Sequence, residues 1–224
     1  DTGWEHPETY EYLNYLESII GKIIRIKPER DFKELVKSKG IFPSRRIKFC
    51  TQHLKINPFK KYFGLSSKFS EDVVCVTGER AEESPARAKK PEFEKDSFLG
   101  CYIWRPLKSW TWEEVFSLAE RYQVKPNPLY KRGFKRVGCF PCIYANKAEY
   151  RALKNDSFAN SRIKEIEALE DEISKSWVIL RRTYEEISGI KDILSWASDD
   201  NQADLFEKDP EYGYSCSSHY KLCE

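Results

Sequence analysis

Apolar and polar positions along the first half of the chain follow the pattern of alternating helices and strands. The segment "PETYEYLNYLESIIG" has apolar residues at helical spacing and predicts a helix from Pro7 to Gly21. "KIIRIKP" is rich in β-branched residues and predicts a strand, and "DFKELVKSKG" predicts a second helix that starts at Asp31 and stops at Gly40. The continuous apolar runs "DVVCVTG" and "SFLGCYIWRPL" are typical of buried parallel strands, and "SWTWEEVFSLAERYQ" predicts an amphipathic helix. This order predicts an α/β fold with a twisted, mostly parallel sheet flanked by helices.

The second half of the chain has a different character. After residue 142 a long charged stretch, "ANSRIKEIEALEDEISKSWVILRRTYEEISG", predicts a helical extension that ends at Gly189. The polar end of the chain, from "ASDDNQ" onward, contains two cysteines and a histidine, so we expect a tail with a function. We therefore divide the chain into an α/β domain at residues 1–142 and a helical extension with a cysteine-bearing tail at residues 143–224.

Composition limits the classes of function. A chain of 224 residues that is 40% hydrophobic can bury a substantial core. Its 38 basic and 36 acidic residues leave a net charge of +2, which gives no support for DNA or a membrane as a partner. Seven irregularly spaced cysteines and the lack of a membrane-spanning apolar run favour a cytoplasmic protein with metal-binding or catalytic thiols. The chain has no methionine and begins at Asp1, from which we expect that an upstream part is missing.

The segment "TGERAEESPARAKK" directly follows a predicted strand. Loops at the carboxyl ends of parallel strands are where α/β folds bind ligands. Arg80 and Arg87 can each bind phosphate or sulfate oxygens in a forked geometry, and Ser84 adds a hydroxyl donor. The loop therefore predicts an oxyanion site, with a solvated charged loop as the alternative.

The segment "GCFPC" places Cys139 and Cys142 three positions apart. This spacing suits a metal site, a redox disulfide or a core position, and spacing alone does not separate the three. Cys75 and Cys101 lie inside apolar strand patterns, so we expect them to be inert core residues.

Four segments of the first 142 residues occur in an order that is shared with one protein family. "DTGWEHPETYEYL" is followed by "TGERAEESPARAKK", "WRPLKSWTWEEVF" and "NPLYKRGFKRVGCFPC". They resemble the segment after the second strand, the G-x-R-x-x-E-S-x-x-R loop, the R-P-L-x-x-W-T-x-x-x-V element and the N-P-L-Y…G-C-x-P-C element of the phosphoadenosine phosphosulfate reductase family. The resemblance implies an adenine nucleotide alpha-hydrolase-like, Rossmann-like fold and a nucleotide-binding role for residues 1–142. The family's opening strand and S-G-G-K-D-S phosphate loop would lie before Asp1.

The resemblance also implies an iron–sulfur cluster. Adenylylsulfate reductases of this family hold a four-iron cluster with a Cys-Cys pair ahead of the G-C-x-P-C element, and "RRIKFCTQHLKINPF" occupies the place of that pair. Here Cys50 is followed by Thr51, as in the similar sulfur-transfer enzymes of DNA phosphorothioation. A [4Fe-4S] cluster, or zinc as the alternative, would then take Cys50, Cys139, Cys142 and a fourth ligand from the tail, Cys216 or Cys223.

The substrate implied by the resemblance is an adenine nucleotide, either ATP, with magnesium, or an adenylylated sulfate. Its binding residues would be Arg80, Glu83, Ser84, Arg87, Arg105 and Asp1. Family reductases end in an E-C-G-x-H motif whose cysteine attacks the sulfate sulfur. "YSCSSHYKLC" resembles that motif, with Cys216 as the nucleophile and His219 near it, but serine replaces the glycine.

Three functions stay open at the level of sequence. The first is reduction of an adenylylated sulfate, and the second is ATP cleavage coupled to sulfur transfer, with a sulfur donor or a reductant protein as partner. The absent glycine of the tail motif and the Cys50–Thr51 pair favour the second. The third is a non-catalytic nucleotide-sensing or partner-binding module that retains the fold.

Overall fold

The computed structural model describes residues 1–44, 47–65, 69–181 and 186–199, without the side chains of residues 179–181 and 186. Its α-helices are α1 (Pro7–Ile20), α2 (Phe32–Lys39), α3 (Phe49–Thr51), α4 (Asn57–Tyr62), α5 (Pro85–Ala88), α6 (Trp112–Arg121), α7 (Lys147–Ala152), α8 (Ala159–Ile173) and α9 (Ile190–Ser198). A π-helical turn (Gln52–Ile56) joins α3 to α4, and shorter helical turns span Ala81–Glu83, Pro128–Arg132 and Leu153–Asn155. The strands are β1 (Val74–Val76), β2 (Phe93–Asp96), β3 (Cys101–Trp104), β4 (Ile179–Arg181) and β5 (Glu186–Ser188).

Local sequence signals set the ends of the predicted helices. Asp31 accepts a hydrogen bond from the N–H of Glu34 at 2.8 Å, and Glu34 accepts one from the N–H of Asp31 at 3.0 Å, so α2 begins with a capping box. It ends at Gly40, whose φ of 62° is a conformation that glycine adopts without strain. Thr111 and Glu114 form a second capping box at the start of α6. The predicted helices at α1, α2 and α6 are confirmed.

The central sheet has the strand order β1–β3–β2 in the described part of the chain. β1 pairs with β3 in parallel, with Cys75 opposite Ile103, whereas β2 pairs with β3 antiparallel, with Glu94 opposite Ile103. The predicted α/β class is confirmed, but over these residues the sheet is mixed rather than mostly parallel. Strand β2 was not predicted because its sequence, "FEKD", is mostly charged and gives no apolar pattern.

The predicted strand at residues 22–28 is wrong, because these residues form no strand. Ile24 is 53% exposed, and a β-branched run becomes a strand only where a neighbouring backbone pairs with it. The segment turns back onto α1 instead. Glu17 accepts the N–H of Ile23 at 3.0 Å, and the guanidinium of Arg25 donates to the Asn14 side chain at 2.6 Å.

The predicted long helix after residue 158 is also wrong in its second half. Helix α8 stops at Ile173, Ser174 has a left-handed φ of 51°, and β4 and β5 follow as an antiparallel pair. Glu170 stabilises this change of direction, because its carboxylate accepts the N–H of Trp177 at 2.6 Å and that of Ile190 at 3.1 Å. The apolar run "WVIL" is too short for its periodicity to distinguish a strand from a continued helix.

Two hydrophobic clusters hold the described residues together. The larger joins Trp4, Phe32 and Phe42 to Trp177 and Ile193 of the extension. The ring of Trp177 lies 6.3 Å from that of Trp4 and 5.9 Å from that of Phe32. The smaller cluster lies against the sheet and consists of Leu65, Cys75, Leu99, Cys101 and Ile103. The extension therefore packs into the same core as the N-terminal residues. Among the described helices, none has the length and apolar character needed to span a membrane.

Candidate functional site

The N-terminal strap, residues 1–6, lies along the cysteine loop, residues 138–142. Glu5 and Cys139 form an antiparallel bridge, and the N–H of Phe140 donates to the carbonyl of Trp4 at 2.7 Å. The indole N–H of Trp4 donates to the carbonyl of Pro141 at 3.3 Å. The peptide bond between Phe140 and Pro141 is cis. These contacts fix the cysteine loop relative to the strap.

Glu5 is the acceptor at the centre of the strap. Its carboxylate accepts the N–H of Thr2 at 3.0 Å, the hydroxyl of Thr2 at 2.7 Å, the N–H of Trp4 at 3.0 Å and the hydroxyl of Tyr10 at 2.8 Å. Burial raises the pKa of Glu5, but the hydrogen bonds from Thr2 and Tyr10 outweigh burial, so the pKa lies below its ordinary value. Glu5 is therefore a charged carboxylate at neutral pH, and it stiffens the strap beside Cys139.

Cys139 lies between the strap and a lysine. Its sulfur is 3.8 Å from the hydroxyl oxygen of Thr2. Burial raises the pKa of the Cys139 thiol, and the ammonium of Lys55 acts in the opposite sense. Cys139 and Cys142 line one small pocket together with Arg136. Burial outweighs Lys55, so the pKa of Cys139 lies above its ordinary value and the thiol is protonated at neutral pH without a bound metal.

Lys55 reaches this loop from an irregular helix that begins close to Cys50. The chain is helical from α3 to α4, and Pro58 lies inside this continuous stretch, nine residues after Phe49. Proline lacks an N–H and its ring clashes with the carbonyl four residues earlier, which widens the turn. The N–H of Asn57 accordingly donates to Gln52, five residues back. Such π-helical turns occur frequently at functional sites.

The cysteine loop has basic surroundings. Lys48 and Arg136 both lie over the ring of Tyr144, with the charged groups 5.6 Å and 5.8 Å from its centroid. Lys48 is two residues before Cys50, and Arg136 is three residues before Cys139. Cations at these positions favour negative charge on the neighbouring sulfurs.

The three predicted metal-binding cysteines of the described chain border one core. Cys50 and Cys139 pack against the larger hydrophobic cluster, and Cys142 is next to Cys139. Within the described residues, no three His, Cys, Asp or Glu side chains are gathered closely enough to hold a metal ion. Thiols are donors that suit a soft metal or an iron–sulfur cluster. For the three to bind one such group, Cys50 would have to move closer to the cysteine loop. Both tail cysteines lie outside the described residues.

Cys75 and Cys101 are core residues, as predicted. They are 8% and 0% exposed and belong to the cluster against the sheet. Burial raises the pKa of Cys75 to about 11 and also raises that of Cys101. Both thiols are therefore protonated at neutral pH and unsuited to nucleophilic chemistry.

The arginine loop, residues 79–88, follows the carboxyl end of β1. Arg80 and Arg87 both form ion pairs with the carboxylate of Glu83, and the N–H of Arg80 also donates to Glu83 at 3.2 Å. Ser84 caps α5 by accepting the N–H of Arg87 at 3.2 Å. Glu82 makes a further ion pair with Arg80. One carboxylate thus holds two guanidiniums, a group whose forked N–H geometry matches the oxygens of phosphate and sulfate.

Arg105 supports this loop from beneath. Its guanidinium donates to Glu79 at 2.5 Å, to the Pro91 carbonyl at 2.8 Å and to Glu94 at 2.7 Å. Lys90 adds a second cation to Glu79 at 2.7 Å. Arg105 is 1% exposed, so its contacts in this structure link the strand ends to the base of the arginine loop.

Aromatic rings connect the arginine loop to the segment that leads into the cysteine loop. The guanidinium of Arg80 lies 5.6 Å from the ring of Trp112, and that ring lies 5.2 Å from Tyr130. Tyr130 belongs to the helical turn that precedes residue 133. Arg80 is therefore connected through the ring of Trp112 to Tyr130, which belongs to the segment that leads to Cys139.

His6 and Asp156 form a buried pair behind the cysteine loop. His6 Nε2 lies 3.3 Å from Asp156 Oδ1, Arg132 donates to Asp156 Oδ2 at 2.6 Å, and the His6 ring contacts Phe140 edge-on at 4.7 Å. The backbone N–H of Ala159 adds a hydrogen bond at 3.0 Å. Burial raises the pKa of Asp156, but Arg132 and the other partners outweigh it and lower the pKa below its ordinary value.

We expect Asp156→Asn to lower the free energy of unfolding by about 2 kcal/mol at neutral pH, because a charged acceptor with several donors is lost. Because the folded-state pKa is depressed, this contribution is complete above about pH 4 and is lost as the pH falls through the folded pKa. Urea denaturation as a function of pH measures both effects. The control is Asp192→Asn, since Asp192 is exposed and accepts only a 3.4 Å hydrogen bond from Ser188. An equal loss of stability in Asp156→Asn and Asp192→Asn would show that the buried Asp156 carboxylate contributes no special stabilisation.

Other sequence-derived site residues have different places. Asp1 lies in the strap, where its carboxylate accepts the Tyr10 hydroxyl at 2.8 Å. Cys216, His219 and Cys223 lie outside the described residues. Lys55 was expected near the metal-binding cysteines because it follows Cys50, and it does act on the charge of Cys139. Sequence reasoning missed Glu5 as a neighbour of Cys139. Glu5 is two positions before Pro7, the first residue of α1, but nothing in that pattern indicates that the strap pairs with residue 139.

Comparison of the sequence with known protein families identifies the family of this chain. The family model described as the phosphoadenosine phosphosulfate reductase domain matches residues 1–145. The chain belongs to the phosphoadenosine phosphosulfate reductase family. The matched range contains the strap, the arginine loop, Cys50 and the cysteine loop, whereas α7 to α9 follow it.

Individual relatives agree with this membership. An uncharacterised 37.8 kDa protein of Escherichia phage 186 is 36% identical over an alignment of 199 positions, and the match covers 66% of this chain and 59% of that protein. Adenosine 5'-phosphosulfate reductase of Allochromatium vinosum is 32% identical over an alignment of 153 positions, and the match covers 65% of this chain and 57% of the reductase. The chain therefore spans less than two thirds of the length of these relatives.

A solved structure is similar over a comparable range. The phosphoadenylyl-sulfate reductase of Candida auris, determined as a phosphate complex, has 22% sequence identity and a TM-score of 0.47. The match covers 63% of this chain and 68% of that one.

Proposed function

We propose that the protein is an adenine-nucleotide-dependent enzyme of sulfur metabolism. The observation that carries this proposal is the pairing of Arg80 and Arg87 through Glu83 at the carboxyl end of β1. Two pre-positioned guanidiniums at such a strand end suit the phosphate or sulfate groups of a nucleotide. Family membership agrees with this substrate class.

We further propose that Cys50, Cys139 and Cys142 hold a [4Fe-4S] cluster, with a tail cysteine as the fourth ligand. The support is chemical: thiolates are the ligands of such clusters, Arg136 lines the pocket of Cys139 and Cys142, and the charge of Lys55 favours the thiolate of Cys139. A cluster with four thiolate ligands would supply a redox-active centre there. Zinc is the alternative occupant of a four-thiolate site.

Two reactions fit this proposal, and each has an observation in its favour. ATP cleavage coupled to sulfur transfer is favoured by Thr51, which follows Cys50 and is 1% exposed, where adenylylsulfate reductases have a second cysteine. Reduction of an adenylylated sulfate is favoured by the relatives that are named adenosine 5'-phosphosulfate reductase. In that reaction the thiolate of Cys216 would attack the sulfate sulfur and displace AMP, and an external dithiol would supply two electrons to release sulfite.

Product analysis separates the two reactions. The complete protein, prepared without oxygen, is incubated with magnesium and ATP, or with adenylyl sulfate and a dithiol, and pyrophosphate and sulfite are measured. ATP cleavage predicts pyrophosphate without sulfite. Sulfate reduction predicts sulfite, which Cys216→Ser abolishes while Cys223→Ser loses the cluster. Neither product, with nucleotide still bound, would support a nucleotide-sensing module instead.

A further inference from the structure

Arg162 is a buried arginine on α8, beyond the part of the chain that the family model matches. It is 5% exposed, and its guanidinium carbon lies 3.8 Å from the centroid of the Trp4 ring and 5.1 Å from that of Phe158. A guanidinium this close to an aromatic face makes a strong cation–π contact once it is removed from water. Arg162 is therefore seated on the tryptophan of the N-terminal strap.

The hydrogen bonds of Arg162 are few for a buried guanidinium. Nη1 donates to Glu165 at 3.1 Å, and Nη2 donates to the backbone carbonyl of Glu5 at 3.3 Å. Its Nε is buried and has no hydrogen-bond partner among the described residues. A buried charged group with an unsatisfied donor is costly, which makes a purely stabilising role a weak explanation.

The residues that Arg162 contacts are the ones that hold the cysteine loop. Trp4 accepts the N–H of Phe140 and donates its indole N–H to Pro141, and Glu5 forms the backbone bridge with Cys139. Arg162 thus contacts both strap residues that hold the loop. Burial lowers the pKa of Arg162 below its ordinary value, and the neighbouring Glu165 and Glu5 carboxylates partly offset this effect.

We propose that Arg162 is a positioning residue that holds the strap against the cysteine loop. Its guanidinium also places a positive charge near Glu5 and Cys139. For a cluster ligated by Cys139, this proposal rests on the proposed function. The role of Arg162 in holding the strap, called the clamp below, does not rest on the proposed function, because it concerns only contacts within the protein chain. The cysteine loop, which lies in the part matched by the family model, would then depend on a residue of the extension for its position.

Hydrogen exchange of the metal-free, complete protein tests the clamp. We expect Arg162→Met to speed amide exchange in peptides covering residues 1–6 and 138–142 roughly tenfold, because a charged contact that holds the strap is lost. Arg162→Lys keeps the charge but not the fork and should give a smaller increase in the same peptides. The control is Leu169→Ala, which creates a cavity on the same helix at a side chain that is 3% exposed. It should lower global stability without a selective effect on those peptides.

The reduction potential of the proposed cluster tests whether the positive charge of Arg162 acts on it. If the wild-type protein takes up a cluster, Arg162→Met should lower its midpoint potential, because loss of a nearby cation disfavours the added electron, and Arg162→Lys should restore most of the difference. A wild-type protein without iron overturns the cluster proposal, while the exchange experiment still decides on the clamp. Unchanged exchange in both peptides for Arg162→Met, or for Arg162→Lys if the methionine variant does not fold, would overturn the proposal for Arg162.

Discussion

Replacing Cys139 or Cys142 with serine is expected to abolish iron and sulfide binding in protein prepared without oxygen. The two thiols share one pocket, so each would supply one of the four thiolates that a cluster takes, and a hydroxyl is a poor substitute for a thiolate toward iron. Cys50→Ser should have the same effect, although Cys50 lies on a different segment. Iron, acid-labile sulfide and zinc are measured on the same preparations.

The buried cysteines provide the matched controls for this experiment. Cys75→Ala and Cys101→Ala remove thiols of the smaller core cluster, so they should lower stability and leave the iron and sulfide content unchanged. Stoichiometric zinc without sulfide in the wild-type protein would replace the cluster with a zinc site. Iron retained in Cys139→Ser at the wild-type level would show that the cysteine loop is not a ligand segment.

The sequence predicted those helices whose ends are fixed by local chemistry. Asp31 with Gly40 and Thr111 with Glu114 are capping signals that act within a few residues, so α2 and α6 were predictable without knowledge of the tertiary structure. The antiparallel pair of β4 and β5 was not predictable from local sequence. Its position depends on Glu170, which caps the N–H groups of residues 177 and 190 across a turn of the chain.

The site shows the same division between local and long-range information. The proximity of the residues in the arginine loop could be predicted because they lie within eight positions, and their ion pairs join residues three or four positions apart. The pairing of the strap with the cysteine loop could not, because it joins residues more than 130 positions apart. Arg162 is a further case, since a single arginine in a charged helix carries no sequence signal for burial against Trp4.

Replacing Arg87 with glutamine is expected to weaken nucleotide binding roughly tenfold to a hundredfold, the range that corresponds to one charge-assisted contact. Arg87 is 6% exposed and ion-paired with Glu83, so its guanidinium is already ordered before the ligand arrives, and little side-chain entropy is lost on binding. Arg80 still pairs with Glu83 in this variant, which should keep the loop folded. Calorimetric titration of the complete protein with ATP and with adenylyl sulfate measures the affinity.

Two comparisons make this result specific to the arginine loop. Arg121→Gln removes the same charge from an exposed position at the end of α6, so it should leave the affinity unchanged. Arg80→Gln should resemble Arg87→Gln, and because both guanidiniums share Glu83, the effects in the double variant should depart from simple additivity. Wild-type affinity in both single variants would mean that the two arginines only neutralise Glu83 and Glu82. The nucleotide would then have to bind through another part of the protein.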